Sequence, residues 1–105
     1  MRYLVKLTPS AQRDIDDFAR YCRNYAETFW HEQEARLARV FEIWLAESPH
    51  MWSFFFLTGA PYRAYLFQAG ARTKFWIVYM IEEKAQSVTV LRMWNSARDP
   101  EKFVP

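Results

Sequence analysis

The stretch from Phe75 to Ile81, Phe-Trp-Ile-Val-Tyr-Met-Ile, is the longest unbroken apolar run in the chain. It is far shorter than the roughly 20 residues that a membrane-spanning helix needs. Its aromatic and β-branched residues favour a strand. With no polar residue alternating through it, the run reads as a central strand buried on both faces. Such a strand requires neighbours on either side. Two flanking runs supply them, Tyr62 to Gln68 and Ser87 to Trp94, around a strand expected over Thr73 to Ile81. The breaks between them, Ala69-Gly70-Ala71 and Glu82 to Gln86, are of hairpin length, so the three strands form an antiparallel meander.

The half that precedes the meander has a different period. Arg2 to Leu7 is a short strand. Thr8 then stands where it caps a helix whose first position is Pro9, where a missing N–H costs nothing. Ala11, Ile15, Phe18, Ala19 and Cys22 recur at the spacing of one buried helical face. The charges between them, Asp14, Asp16 and Asp17 among them, are read as a solvated face. A second helix is expected over Glu27 to Ala46, capped by Asn24 or begun near Thr28, with Trp30, Leu37, Val40, Phe41, Trp44 and Leu45 in helical period. Glu32 and Arg36 form an i,i+4 pair on it, and Ser48-Pro49 ends it. Met51 to Leu57 is an irregular strand or a loop tucked on the core, and Thr58-Gly59-Ala60-Pro61 is a turn signal. The expected fold is α+β: an N-terminal strand, a helical hairpin and a three-stranded antiparallel meander, with the helices packed on one face of the sheet. Residues 1–105 are expected to form a single domain.

Composition narrows the function classes. Aromatic residues make up 19% of the chain and glycine only 2 residues, enough large side chains both to fill a small core and to meet a partner. The one cysteine, Cys22, excludes an intrachain disulfide and a cysteine-rich metal site. With no signal-peptide core at the start, the expectation is a soluble cytoplasmic protein with no membrane association. The first 50 residues hold seven Lys/Arg and eight Asp/Glu, and the remainder seven and four. The C-terminal half is therefore mildly basic, which suits an acidic partner or a polyanion. There is no glycine-rich phosphate loop, no metal-ligand spacing and no sequence-evident Ser–His–Asp set, so no cofactor and no metal are expected.

Three phrases bear a resemblance to the RelE/ParE superfamily of toxins. Val5 to Tyr21 (VKLTPSAQRDIDDFARY) is similar to that family's strand, Thr-Pro turn and acid-dotted first helix. Gly59 to Phe67 (GAPYRAYLF) resembles its Gly/Pro turn leading into an arginine-bearing strand, with Arg63 in the arginine's place. Trp76 to Phe103 resembles its terminal hairpin, where Leu91-Arg92-Met93-Trp94-Asn95-Ser96-Ala97-Arg98-Asp99 matches the closing phrase. The order and spacing of the phrases cover nearly the whole chain.

The resemblance implies a toxin of a type II toxin–antitoxin pair. It would be held by a cognate antitoxin in a hetero-oligomer, through a helix or strand laid on the exposed sheet and the groove beside the helices. It also implies one of two targets. RelE-like members cut messenger RNA on the ribosome, and ParE-like members inhibit DNA gyrase. Cleavage through a 2′-hydroxyl needs a base, an acid and cations around the phosphate. Trp76 stands where nuclease members carry an arginine. Asn95 stands where they carry a histidine or tyrosine, and an amide cannot shuttle a proton. His31 and His50 lie in the helical half and are read as surface or structural residues. The candidate ribonuclease set is therefore reduced to Arg63, Arg72, Lys74, Arg92 and Arg98, with Tyr62, Tyr65 and Tyr79 as potential acid–base groups. Arg92 also reads as a solvent-facing residue of its strand, and Arg98 as a partner of Asp99 or Glu101. The gyrase-binding reading is favoured, with Trp30, Phe41, Trp44, Arg92, Trp94 and Arg98 as candidate partner contacts. A degenerate member acting only as a binding module is the remaining alternative.

Overall fold

The computed structural model describes residues 2–55 and 61–105. Strand β1 (Leu4–Leu7) leads into helices α1 (Pro9–Tyr25) and α2 (Glu27–Arg39). A π-helical turn (Val40–Trp44) carries α2 into the short helix α3 (Leu45–Glu47), and a 3-10 turn follows at Pro49–Met51. Strands β2 (Tyr62–Gln68), β3 (Lys74–Glu82) and β4 (Ser87–Asn95) complete the sheet, before a last 3-10 turn at Pro100–Lys102. The sheet order is β1-β4-β3-β2. The meander is antiparallel, and β1 lies parallel to β4 in the register Leu4 to Ser87 through Leu7 to Val90. This is the expected α+β arrangement, with α1 and α2 on one face.

The start of α1 is set by local chemistry. Thr8 Oγ accepts the Ala11 N–H at 3.1 Å, and Pro9 fills the first turn. The same hydroxyl donates to the Leu91 carbonyl at 2.9 Å, fixing the helix start to β4. The two helices are separated only by Ala26, held extended at φ −168° and ψ 141°. Asn24 therefore lies inside α1 and does not cap α2, which starts with no side-chain cap. Nor does Arg36 pair with Glu32: it donates to Gln33 Oε1 at 2.7 Å and lies 4.7 Å from the Phe67 ring centroid.

Alternation along β3 divides the core in two. Ile77 and Tyr79 face the helices, where Phe18, Trp30, Leu37, Phe67, Val88 and Val90 close around them. Trp76 and Val78 face the other way, into a second cluster with Phe55, Ala64 and Trp94. Phe103 anchors the C-terminal segment on this second cluster, its ring 5.0 Å from Phe55, 5.4 Å from Trp94 and 6.0 Å from Tyr62. The sheet face away from the helices is thus not bare, as the sequence reading of an exposed sheet assumed. Met51 falls in the 3-10 turn, Phe54 bridges to Arg63 of β2, and Phe55 is a core residue. Phe56 and Leu57, and Thr58 to Ala60 of the expected turn, lie outside the described residues. Among the described residues, no helix is long and apolar enough to cross a membrane.

Candidate functional site

β4 outruns its parallel neighbour. β1 ends opposite Val90, and the β3–β4 register slips between Val78 and Tyr79, so that Val78 faces Arg92 while Tyr79 faces Val90. A bulge of this kind re-aims the side chains around the extra residue. Arg92 turns to α1, where its Nε and Nη2 donate to the two oxygens of Asp14 at 2.6 and 3.0 Å. Its Nη1 donates to the Val104 carbonyl at 2.9 Å. The Asp14 carboxylate also accepts the Met93 N–H at 3.0 Å. Arg92 and Asp14 keep only 19% and 17% of their side-chain exposure. The bidentate geometry is the strong form of this interaction. Arg92 is therefore not a solvent-facing residue, and Asp14 does not belong to a solvated face.

Arg63 is committed in a similar way. Its Nη1 donates to the Trp52 carbonyl at 2.7 Å and to the His50 carbonyl at 3.4 Å, and its guanidinium lies 4.3 Å from the Phe54 ring centroid. It staples the segment after α3 to β2. Arg98 does not pair with Asp99 or Glu101. It stacks 4.2 Å from the Trp94 ring centroid, while Asp99 Oδ1 accepts the Glu101 N–H and caps the last 3-10 turn. Arg72 and Lys74 are exposed. Among the described residues, Arg72, Lys74 and Arg98 have no carboxylate partner.

Tyr21 and Asp17 share a cleft with Arg98 and Asn95, and the other potential proton-transfer groups lie elsewhere. Trp76 packs in the second cluster, paired across the sheet with Trp94. Asn95 Oδ1 accepts the Ala97 N–H at 2.9 Å and shapes the turn after β4. His31 is exposed on α2. His50 Nε2 lies 2.5 Å from Glu83 Oε1, and the other Glu83 oxygen accepts the Tyr3 hydroxyl at 3.1 Å. Partial burial, and then the Glu83 hydrogen bond, push the Tyr3 phenol above its ordinary range. Glu83 follows the last residue of β3, whereas Lys74 is the first. A strand of that length places them roughly 25 Å apart, so the His50–Glu83 pair does not share a site with the free cations. Tyr79 is fully buried and donates to the Pro49 carbonyl at 2.5 Å. Burial pushes its phenol far up, only partly offset by the charge of Arg63. Tyr65 packs edge-on against Trp52, and Tyr62 against Phe103.

The candidate contact residues separate by burial. Trp30 and Trp94 retain 5% and 2% exposure and are core side chains. Phe41 is half-buried and Trp44 is exposed, both in the π-helical turn. A groove of about 440 Å³ runs between α1 and α2, over Ile15, Ala19, Leu37 and Phe41. It meets a smaller hollow of about 300 Å³ beside β1, lined by Leu4, Leu7 and Phe41. A third cleft, of about 410 Å³, opens at the end of β4 between Tyr21, Phe75, Asn95 and Arg98.

No protein-family model matches this chain. No curated protein matches it either. Among solved structures, the metal-bound toxin from Helicobacter pylori aligns over 96% of this chain and 99% of its own, at 10% identity and a TM-score of 0.40.

Of the five candidate cations, Arg63 and Arg92 hold the fold together, and among the described residues Arg72, Lys74 and Arg98 form no pair with a carboxylate. Among the described residues no cluster of His, Cys, Asp or Glu is suited to a metal ion. Asp14 is the residue that sequence reasoning passed over. Its position carried a signal, since 11, 14 and 18 fall on one helical face, and Ala11 and Phe18 are both buried.

Proposed function

We propose that this chain is the toxin of a type II toxin–antitoxin pair, that it works in the cytoplasm by binding a protein target, DNA gyrase, and that a cognate antitoxin neutralises it. The family part of this reading rests on the RelE/ParE-like phrases in the sequence. The choice of a binding mechanism over RNA cleavage rests on one observation, the bidentate Arg92–Asp14 pair. An arginine that already gives three of its five N–H groups to Asp14 and the Val104 carbonyl is held against the fold and is a poorer ligand for a scissile phosphate than a free one. The loss of Arg63 to main-chain carbonyls points the same way. The free cations Arg72, Lys74 and Arg98 suit attraction of an acidic surface.

The test is induced expression in a bacterial host, with growth, plasmid supercoiling and messenger integrity followed together. Growth arrest with disturbed supercoiling and intact messenger is the expected result. Messenger cut within codons would replace this reading with a ribosome-dependent ribonuclease built on Arg72, Lys74 and Arg98. Growth without arrest would leave a binding module of the same fold.

A further inference from the structure

The groove between α1 and α2 has an apolar floor and an acidic rim. Ile15 and Ala19 from α1 face Leu37 and Phe41 from the second helix, with Trp30 closing one end and Leu7 the other. Three carboxylates stand on its edge, Asp16, Glu34 and Glu42, against one cation, Arg23. Arg23 is already engaged, 3.7 Å from the Glu27 carboxylate and 5.4 Å from the Trp30 ring centroid. Among the described residues, Asp16 is bonded to the neutral Gln12 amide, at 3.0 Å, and to no cation. Arg2 is bound to the Glu42 main-chain carbonyl, and Arg20 to Asp17. Among the described residues, neither Glu34 nor the Glu42 carboxylate has a cationic partner. The net charge presented along an apolar trough is therefore negative.

The dimensions set the kind of occupant. From Trp30 to Glu42 the second helix advances by 12 residues, about 18 Å or three turns at 1.5 Å per residue. A trough of that length with a hydrophobic floor takes the apolar stripe of one amphipathic helix, read at i, i+4 and i+7. We infer that this groove receives a lysine- or arginine-flanked amphipathic helix of the partner protein, its apolar stripe over Ile15, Ala19, Leu37 and Phe41 and its cations against Asp16, Glu34 and Glu42. This rests on the antitoxin reading and deepens it by assigning the neutralising segment a charge. The segment is locally basic, whatever the net charge of the protein that carries it.

The experiment uses the whole chain, isotope-labelled, titrated with two three-turn helical peptides. They share a leucine stripe and differ only in lysine or glutamate flanks. The lysine peptide is expected to bind about tenfold more tightly, three rim pairs of surface strength accounting for the difference. Amide shifts should concentrate at Ile15, Ala19, Leu37 and Ala38, and the preference should shrink in high salt. The double variant Glu34→Lys/Glu42→Lys changes two exposed helical residues, and helical circular dichroism checks its fold. It should reverse the preference.

Equal binding of the two peptides, shifts mapping away from the groove, or a double variant that keeps the lysine preference would each overturn the assignment. So would a dimer of the chain alone that Ala38→Arg dissociates, since the occupant would then be a second copy. The two readings fail separately. A chain that arrests growth but shows no peptide preference loses only the groove assignment. A chain that prefers the basic helix but never arrests growth loses only the toxin.

Discussion

Asp14→Ala removes three hydrogen bonds at once, the two from Arg92 and the one from the Met93 N–H. It leaves a guanidinium that has one remaining acceptor, the Val104 carbonyl. Taken as one bidentate unit plus one main-chain bond, and discounted for the water that reaches Arg92, the loss comes to about 2–3 kcal/mol. For a chain of this size that corresponds to a fall in melting temperature of roughly 10–20 °C. Urea unfolding followed by circular dichroism would read it directly. A double-mutant cycle with Arg92→Ala should return a coupling energy of about 2 kcal/mol, because each single change strands the same partner. A loss below about 0.5 kcal/mol, or additive single changes, would refute the reasoning. The pair would then be an ordinary surface contact, and Arg92 would again be available to a phosphate.

Three smaller predictions concern other parts of the fold. Ser87 and then Lys6 hold the Glu82 carboxylate below its usual value of 4.5. Its stabilising contribution should be complete above that pH and fade as the pH falls through the lowered value, so Glu82→Gln should flatten the acid limb of a stability profile. Tyr79→Phe deletes a buried hydrogen bond to the Pro49 carbonyl. It should cost about 1–2 kcal/mol, seen as a lower urea midpoint with an unchanged slope. Burial shelters Cys22 and pushes its thiol up. A thiol reagent should modify it at the rate of unfolding rather than at the rate of an open thiol, and fast modification of the native protein would contradict its placement.

The sequence made the meander plain because β3 has to be buried twice. An apolar residue at every position from Phe75 to Ile81 leaves few other outcomes, and Ile77 and Val78, adjacent in sequence, do face opposite cores. Thr8-Pro9 and the spacing of Ala11, Phe18 and Cys22 carried α1 in the same way. The parallel docking of β1 on β4 left no trace, because a four-residue strand with mostly exposed side chains has no periodicity to read. The site was harder still. Arg92 meets Asp14 across 78 residues of sequence, and the contact depends on a bulge that no local pattern announces. Trp30 and Trp94 show the limit of composition. Twenty aromatic residues suggest exposed contacts, yet these two are core. Trp44 and Phe41 reach the surface through a π-helical turn that helical periodicity cannot foresee.

That turn has a consequence for how such a chain can vary. A π turn is what a helix becomes when one residue is added to it and the residues on both sides keep their places. Here the Leu45 N–H reaches back to the Val40 carbonyl, and Leu45 and Ala46 beyond it stay buried at 0% and 4%. Arg2 occupies the Glu42 carbonyl within the widened loop. Deleting one residue from the turn would let the helix run on as an unbroken α-helix, with Trp44 and its neighbours turned about 100° around the axis. Relatives that lack one residue in this stretch should thus retain the core beneath it while presenting a different outer face, so partner choice can diverge there without a new fold.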